Sequence, residues 1–518
     1  MAIIVTVFLS ALDVTSVGTA LPTIVAHLNG GENFAWVGSA YALSSTAFLP
    51  LSGTLADVFG RRPIMLISVA LFSLGSALAG SAQNMNWLIA ARTVQGIGGG
   101  AIINMSEIIV SDLVPLAERG LYQGLVGLTW AFACGVGPPI GGAFAGKASW
   151  RWLFYINLPL SGIAFTLVLF FLRVRTPEGS ITSKVKRVDW FGNLIVICGT
   201  TLAVTGLTFG GGRFAWVSAE VLAPLIIGLI LIVAFLYYEG VVPKEPTIPW
   251  EVLSNRTTIG GYLATLVHGI TSIGVIYYVS VYFQAVLGAS PIMSGVDSLV
   301  FALMIAAGAL TSGIAVQVQK KYVPVNVAGW IFMMVGFGVL SLMRLDSSKS
   351  QWLGYQVLIG VGVGLLFPSP LFSVLAPLPV ERNAAALAFF AFTRAFAQTW
   401  GITIAGTILQ NELTKRLPTD FISQFPGGSE IAFAAIPVIG NLSEPLRTEV
   451  REAFATSLSM IWKIMAGISG AGLLSLLLLK EIPMNMEMNE KYGLHGDNSG
   501  KNDDKSEKGN AIVSEETV

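Results

Sequence analysis

The sequence predicts an all-α polytopic membrane protein, and three observations carry that reading. Of its 518 residues, 53% are hydrophobic and only 12% are charged, about half of the ~25% charged residues of soluble chains. The mean hydropathy is +0.71. The apolar residues fall in long continuous runs rather than alternating segments of about ten, which favours helices over barrel strands. Thirty Lys and Arg balance thirty Asp and Glu, so no basic field exists to hold nucleic acid.

With about 20 apolar residues needed per crossing, the chain divides into fourteen predicted transmembrane helices. The first six cover 2–21, 34–56, 63–82, 87–111, 121–146 and 152–173. Two follow at 188–210 and 220–240, and six more at 258–287, 294–318, 323–343, 352–372, 385–410 and 456–480. Met1 leads almost directly into an apolar run with no convincing cleavage site, so no signal peptide is expected. The segment 481–518 is polar and poor in aromatics, and is expected to be a disordered tail.

Orientation follows from basic residues in the short loops. Loops after even-numbered spans carry thirteen, among them Arg61, Arg62, Arg119, Arg187, Lys320 and Arg382, against five after odd-numbered spans. Even loops and both termini are therefore expected in the cytosol, with the loop 411–455 facing outward. Asn441, in an Asn-Leu-Ser sequon of that loop, is then a glycosylation candidate, whereas Asn255 is not and Asn104 lies inside a helix.

The chain carries no P-loop, no H-E-x-x-H and no G-x-S-x-G. His27, His268 and His495 are far apart in sequence, and Cys134 and Cys198 sit in apolar runs, so neither a metal centre nor a cofactor is expected. The chain is not expected to be an enzyme. Work done by such a protein draws on an ion gradient or on the substrate's own, which points to a secondary transporter or facilitator.

Five stretches narrow the class. After span two, Gly53-Thr-Leu-Ala-Asp57-Val-Phe-Gly60-Arg61-Arg62 forms a tight turn in which Asp57 can engage a helix end or a nearby arginine. In span four, Arg92-Thr-Val-Gln95-Gly96-Ile-Gly98-Gly99-Gly100 places an expensive charge beside small residues. Gly96, Gly99 and Ile103 lie within about 40° of Arg92 around the helix, so a neighbour can approach that face. Span five carries Gly124, Ala133, Gly137-Pro138-Pro139 and Gly141-Gly142, a pattern expected to bend and to pack tightly. Span one carries Asp13-Val-Thr15 and Ala20-Leu21-Pro22, and the loop before span six reads Trp150-Arg-Trp152 and ends on Asn157-Leu-Pro159.

Together these motifs resemble the major facilitator superfamily, specifically its fourteen-span drug:proton antiporters of the fungal multidrug and secondary-metabolite type. The first motif is similar to that family's gating loop, the second to its proton-coupling arginine motif, and the third to its antiporter signature, with Ala133 where a glycine is usual. Asp189-Trp190-Phe-Gly192 and Tyr282 to Pro291 are further matches, and the resemblance covers about 10–410. It implies a major-facilitator fold: a six-helix bundle over 1–173, a linker with two spans over 174–257, and a second six-helix bundle over 258–480. It also implies alternating access and a monomer embedded in the lipid bilayer, exchanging a small organic substrate for protons.

Asp13 lies ~12 Å, and Arg92 ~8 Å, from the outer ends of their spans. They can pair if the helices pack together, as they do in this superfamily. Asp13 is then the expected proton carrier and Arg92 the positive partner that governs when it lets go. Glu107, near the cytosolic end of span four, and His268, early in span nine, are further proton-coupling candidates. Arg394 and Lys463, also inside spans, face either the cavity or the surface. Aromatic and amide groups expected to contact cargo are Trp36, Tyr41, Gln95, Trp130, Tyr277, Tyr278, Gln284, Phe389, Gln398 and Trp400.

The leading expectation is a proton-coupled exporter of small amphipathic compounds in the plasma membrane, the vacuolar membrane being the alternative. A carrier of siderophores, polyamines or amino acids in the same fold, and a non-transporting receptor, are the competing readings. The short polar tail speaks against the receptor.

Overall fold

The computed structural model describes residues 2–28, 35–210, 214–422 and 431–484, and among them there is no strand. The polar tail from 485 onward lies outside the described residues. The first half contains α1 (Ala2–Leu28), α2 (Ala35–Ala47), α3 (Leu49–Phe59), α4 (Arg61–Gly80), α5 (Met85–Leu113), α6 (Arg119–Lys147), α7 (Trp152–Tyr155) and α8 (Asn157–Phe171). Then come α9 (Ile181–Arg187), the long pair α10 (Trp190–Phe209) and α11 (Ala219–Val241), and α12 (Glu251–Ser254). The second half contains α13 (Arg256–Val281), α14 (Pro291–Asp297), α15 (Leu299–Gln319), α16 (Val323–Leu340), α17 (Lys349–Leu365) and α18 (Ser369–Leu375). It closes with α19 (Asn383–Arg416), α20 (Thr419–Ile422), α21 (Ile431–Ile439) and α22 (Leu446–Ser475).

Local chemistry sets the boundaries. Asn84 accepts the Trp87 amide at 2.9 Å and starts α5, Asp189 accepts the Gly192 amide at 3.0 Å and starts α10, and Ser348 and Gln351 form a capping box at α17. Gly60, with φ of 97°, turns the chain between α3 and α4, a conformation that only glycine adopts freely.

Among the described residues, ten helical stretches are long and apolar enough to cross a bilayer. The predicted spans 2–21, 34–56, 87–111 and 385–410 are not among the ten. The helix over 34–56 is interrupted at Phe48, ahead of Pro50. The helices over 87–111 and 385–410 are long, but they carry Arg92 and Glu107, and Arg394, among polar side chains. The predicted outer loop 411–455 is largely helical: α19 runs on to Arg416 and α22 begins at Leu446. α6 is assigned as one helix through Pro138 and Pro139.

The buried core has three parts. One joins both halves, bringing Leu49, Ile102, Met105 and Leu116 together with Val316, Tyr262, Leu371 and Leu387. The other two each stay within one half, around Val37, Leu88 and Trp150, and around Phe283, Trp330 and Trp462. The shared core lies at the end that carries Arg61, Arg119 and Arg382, here called the basic face.

Both seams between the halves follow this pattern. At the basic face a Cβ on Gly120 of α6 would lie 2.6 Å from the Gly313 Cα of α15, so the two backbones touch. Farther along, the distance from a Cβ on Gly127 to Ala309 is 3.4 Å, and from one on Gly135 to Leu299 it is 3.6 Å, while a Cβ on Gly142 would meet nothing within 4 Å. On the second seam a Cβ on Gly53 of α3 would lie 2.5 Å from the Ala388 Cβ of α19, whereas one on Gly38 of α2 has open space. The closest backbone approaches between the halves lie at the basic face; farther along α6 the contacts with α15 loosen to van der Waals distance, and α6 still touches α14 beyond them. The α10–α11 hairpin lies across the second seam, with α10 packed on both α2 and α19.

Candidate functional site

The first half is organised around one acidic group. Asp13 of α1 is 1% exposed. Its Oδ2 accepts Arg92 Nη1 at 2.5 Å, and its Oδ1 accepts Gln95 Nε2 at 2.8 Å and Asn157 Nδ2 at 2.9 Å. Ser76 of α4 receives the same two amides, at 2.8 Å and 3.3 Å. Arg92 also donates to Gln95 Oε1 at 2.6 Å and to the Val37 carbonyl at 3.1 Å. Its guanidinium stacks 4.5 Å from the centre of the Tyr41 ring, whose hydroxyl lies 3.0 Å from Ser10 Oγ.

The glycines of α5 make this approach possible: a side chain on Gly99 would run into the Tyr41 hydroxyl, and one on Gly96 into the Tyr41 backbone. Five helices thus meet through one charged pair inside an apolar interior. Such a pair holds together only because its remaining hydrogen-bonding positions are filled. The expected pairing of Asp13 with Arg92 is present. Gln95 belongs to this cluster rather than to an open cavity. Asn157 and Ser76 complete it; Asn157 lay in a recognised motif, but nothing in the sequence said what it would touch.

At the basic face, Arg61 is 1% exposed and bonds Asp57 Oδ1, Asp112 Oδ2 and the Ala56 carbonyl, each at 2.7 Å. It ties α3 and α4 to the end of α5. Arg62 donates to the Leu169 carbonyl of α8. Gly53, in the same motif, lies on the seam with α19. Asp112 was not foreseen; its position at the inner end of span four was the available signal. Replacing Asp57 with Asn is expected to cost only about 1 kcal/mol in the unfolding of detergent-solubilised protein, because Asp57 is 35% exposed and Arg61 keeps Asp112.

A second charged pair crosses between the halves. Glu107 of α5 and Arg394 of α19 approach to 4.0 Å, with side chains 10% and 13% exposed. Arg394 is held between the rings of Phe367 and Phe390, 4.5 Å from each, and donates to the Phe367 carbonyl at 2.7 Å. Glu107 Oε2 and Arg394 Nε have no hydrogen-bond partner. His268 of α13 lies 3.1 Å from the Val363 carbonyl through Nε2, and its Nδ1 has no partner.

The antiporter-type motif faces two ways. A Cβ on Gly124 would lie 3.1 Å from the Leu310 Cα across the seam. One on Gly137 would lie 3.0 Å from the Thr15 Cβ of α1, and Thr15 donates to the Ala133 carbonyl at 3.1 Å. Gly141 is buried, Gly142 borders open space, and the Pro138 side chain lies outside the described residues.

The expected cargo contacts scatter. Tyr41 and Tyr278 are buried, Tyr278 donating to the Ile402 carbonyl of α19 at 3.3 Å. Trp36 packs edge-on against Phe209 of the hairpin. Phe389 contacts Tyr262 and Phe392, and Trp400 contacts Phe396. Tyr277 is half-exposed, while Trp130 and Gln398 are partly exposed. Gln284, in a short π-helical turn, borders a pocket at the outer end with Arg447 and Arg451. Asn441 is exposed in the turn before α22.

The sequence profile of the Major Facilitator Superfamily matches residues 3–402. The chain belongs to the major facilitator superfamily. Like other proteins of this superfamily it is a multi-pass membrane protein of the transporter type. It is 37% identical over 500 residues to the MFS-type transporter gkaD of Penicillium citrinum, covering 95% of this chain and 86% of that one. It is 36% identical to the efflux pump FUS6 of Gibberella fujikuroi, covering 98% and 93%. Among solved structures, the human organic anion transporter MFSD10 is similar in fold, with a TM-score of 0.58 at 13% identity over 92% of this chain and 99% of that one.

Proposed function

We propose that this superfamily member exports small amphipathic organic compounds of the secondary-metabolite kind, exchanging them for protons by alternating access. The observation that carries the reading is the pair of seams, tightest at the basic face and looser toward the other. With the basic face in the cytosol, as loop charge predicts, this is an outward-facing arrangement, and rocking of the halves supplies the inward-facing one. Relatives named as transporters and an efflux pump support export as the direction. The plasma membrane is the proposed location, with both termini cytosolic and the monomer as the working unit.

For coupling, we assign the proton to Asp13 and its control to Arg92. The pair is sealed in the outward-facing arrangement, so a proton reaches Asp13 only when α1 and α5 shift relative to each other. The test is efflux from cells expressing the chain, measured with a fluorescent amphipathic compound at two external pH values. Acidifying the outside should speed efflux, and a protonophore should stop it. Efflux that continues unchanged after the gradient has collapsed would rule out antiport.

A further inference from the structure

The two intramembrane ion pairs differ in one respect. Around Asp13 both carboxylate oxygens are filled by donors on three side chains. Glu107 and Arg394 sit at 4.0 Å, beyond hydrogen-bond reach, and leave an acceptor, Glu107 Oε2, and a donor, Arg394 Nε, buried and without partners. Unpaired buried polar atoms are uncommon in native proteins and each calls for an explanation, a bound group among them. Building a more tightly satisfied pair was open to this sequence, as Asp13 demonstrates.

His268 adds a third such atom. Its Nε2 faces a carbonyl, which only a protonated nitrogen can satisfy, so in the neutral ring Nδ1 is an acceptor. The residue after it, Gly269, lies against the Arg394 backbone, since a Cβ there would be 3.0 Å from the Arg394 carbonyl. Arg394 cannot swing freely, being clamped between Phe367 and Phe390. The unpartnered atoms stand on α5 of one half and on α13 and α19 of the other, so a molecule that engages them touches both moving parts.

Resting on the exporter reading, we propose that Glu107 and Arg394 form a cargo-contacting subsite for an uncharged group with a hydrogen-bond donor beside an acceptor, such as an amide, a lactam or a hydroxyketone. The charges of the pair cancel, so neither an anionic nor a cationic head group is favoured over a neutral one. The donor of the head group meets Glu107 Oε2, and its acceptor meets Arg394 Nε. The apolar body of the cargo lies along the neighbouring aromatic side chains.

Three naphthalene probes test this on the purified full chain in lipid nanodiscs: 1-naphthamide, 1-naphthoate and 1-naphthylmethylammonium, titrated by tryptophan fluorescence. The amide should bind about tenfold more tightly than either ion. Glu107→Gln leaves the arginine charge unopposed, so naphthoate should become the preferred probe. Arg394→Gln leaves the carboxylate unopposed, and the ammonium probe should then lead. Unfolding temperatures separate a recognition change from a folding failure, and Arg394→Lys, which keeps the charge but loses the planar fork, serves if Arg394→Gln does not fold. Equal or absent binding of the three probes by the native chain, or an order of preference that the substitutions leave in place, overturns the proposal. Gradient-driven efflux that persists alongside such a result sinks the subsite alone. Amide-selective binding without gradient-driven efflux sinks the exporter reading and spares the subsite's chemistry.

Discussion

Arg92→Leu should destabilise the protein by about 3–5 kcal/mol, the scale on which removing one member of a buried ion pair acts. The loss is not that of a single contact. Asp13 would be left inside the bundle with only Gln95 and Asn157 as donors, and Gln95 would lose its own acceptor bond from Arg92. Chemical denaturation in detergent, followed by tryptophan fluorescence, reads the change. Adding Asp13→Leu to Arg92→Leu should recover much of the loss, because the stranded charge goes with it. The double variant should nevertheless carry no proton-driven efflux. Proton-coupled transport in that double variant would show that the cluster braces the helices and does not carry the exchanged ion.

Gly313→Leu should reduce efflux by about tenfold or more while leaving each half folded. A Cβ at this position would run into the Gly120 carbonyl of the opposing helix. Backbone cannot rotate aside as a side chain can, so α6 and α15 must separate at the basic face. Overpacking of this kind costs about 1–3 kcal/mol, enough to shift a two-state population by about tenfold to a hundredfold toward the arrangement in which that seam is open. Cysteine labelling of the basic face should become faster in the same variant. Native efflux with unchanged labelling would mean that the crossing does not open during the cycle.

How far the sequence could be read depended on the range of the interaction. The long helices were legible because hydrophobic runs are local, as with the predicted spans 188–210 and 220–240 that became α10 and α11. The interruption at Phe48 was not, although Pro50 marked the place. Asp13 and Arg92 could be matched because intramembrane charges need partners and their depths agree. Glu107 and Arg394 obey the same rule, yet their pairing depends on how one half lies against the other, which no periodicity within a helix encodes. The aromatic candidates are hard to sort for a related reason. Phe389, Phe392, Phe396 and Trp400 form a continuous ring ladder along α19, and composition cannot tell such a ladder from a cargo surface.

The α10–α11 hairpin carries a consequence for motion. Its two helices are zipped by small residues: a Cβ on Gly228 would lie 2.8 Å from the Ala203 Cα, and one on Gly206 would lie 2.8 Å from the Leu225 amide nitrogen. The pair is therefore stiff, and it straddles α2 and α19, which belong to opposite halves. In the proposed cycle a swing of the halves would drag one of those helices along this bolster, and the hairpin would then act as a mechanical stop on how far the halves can part.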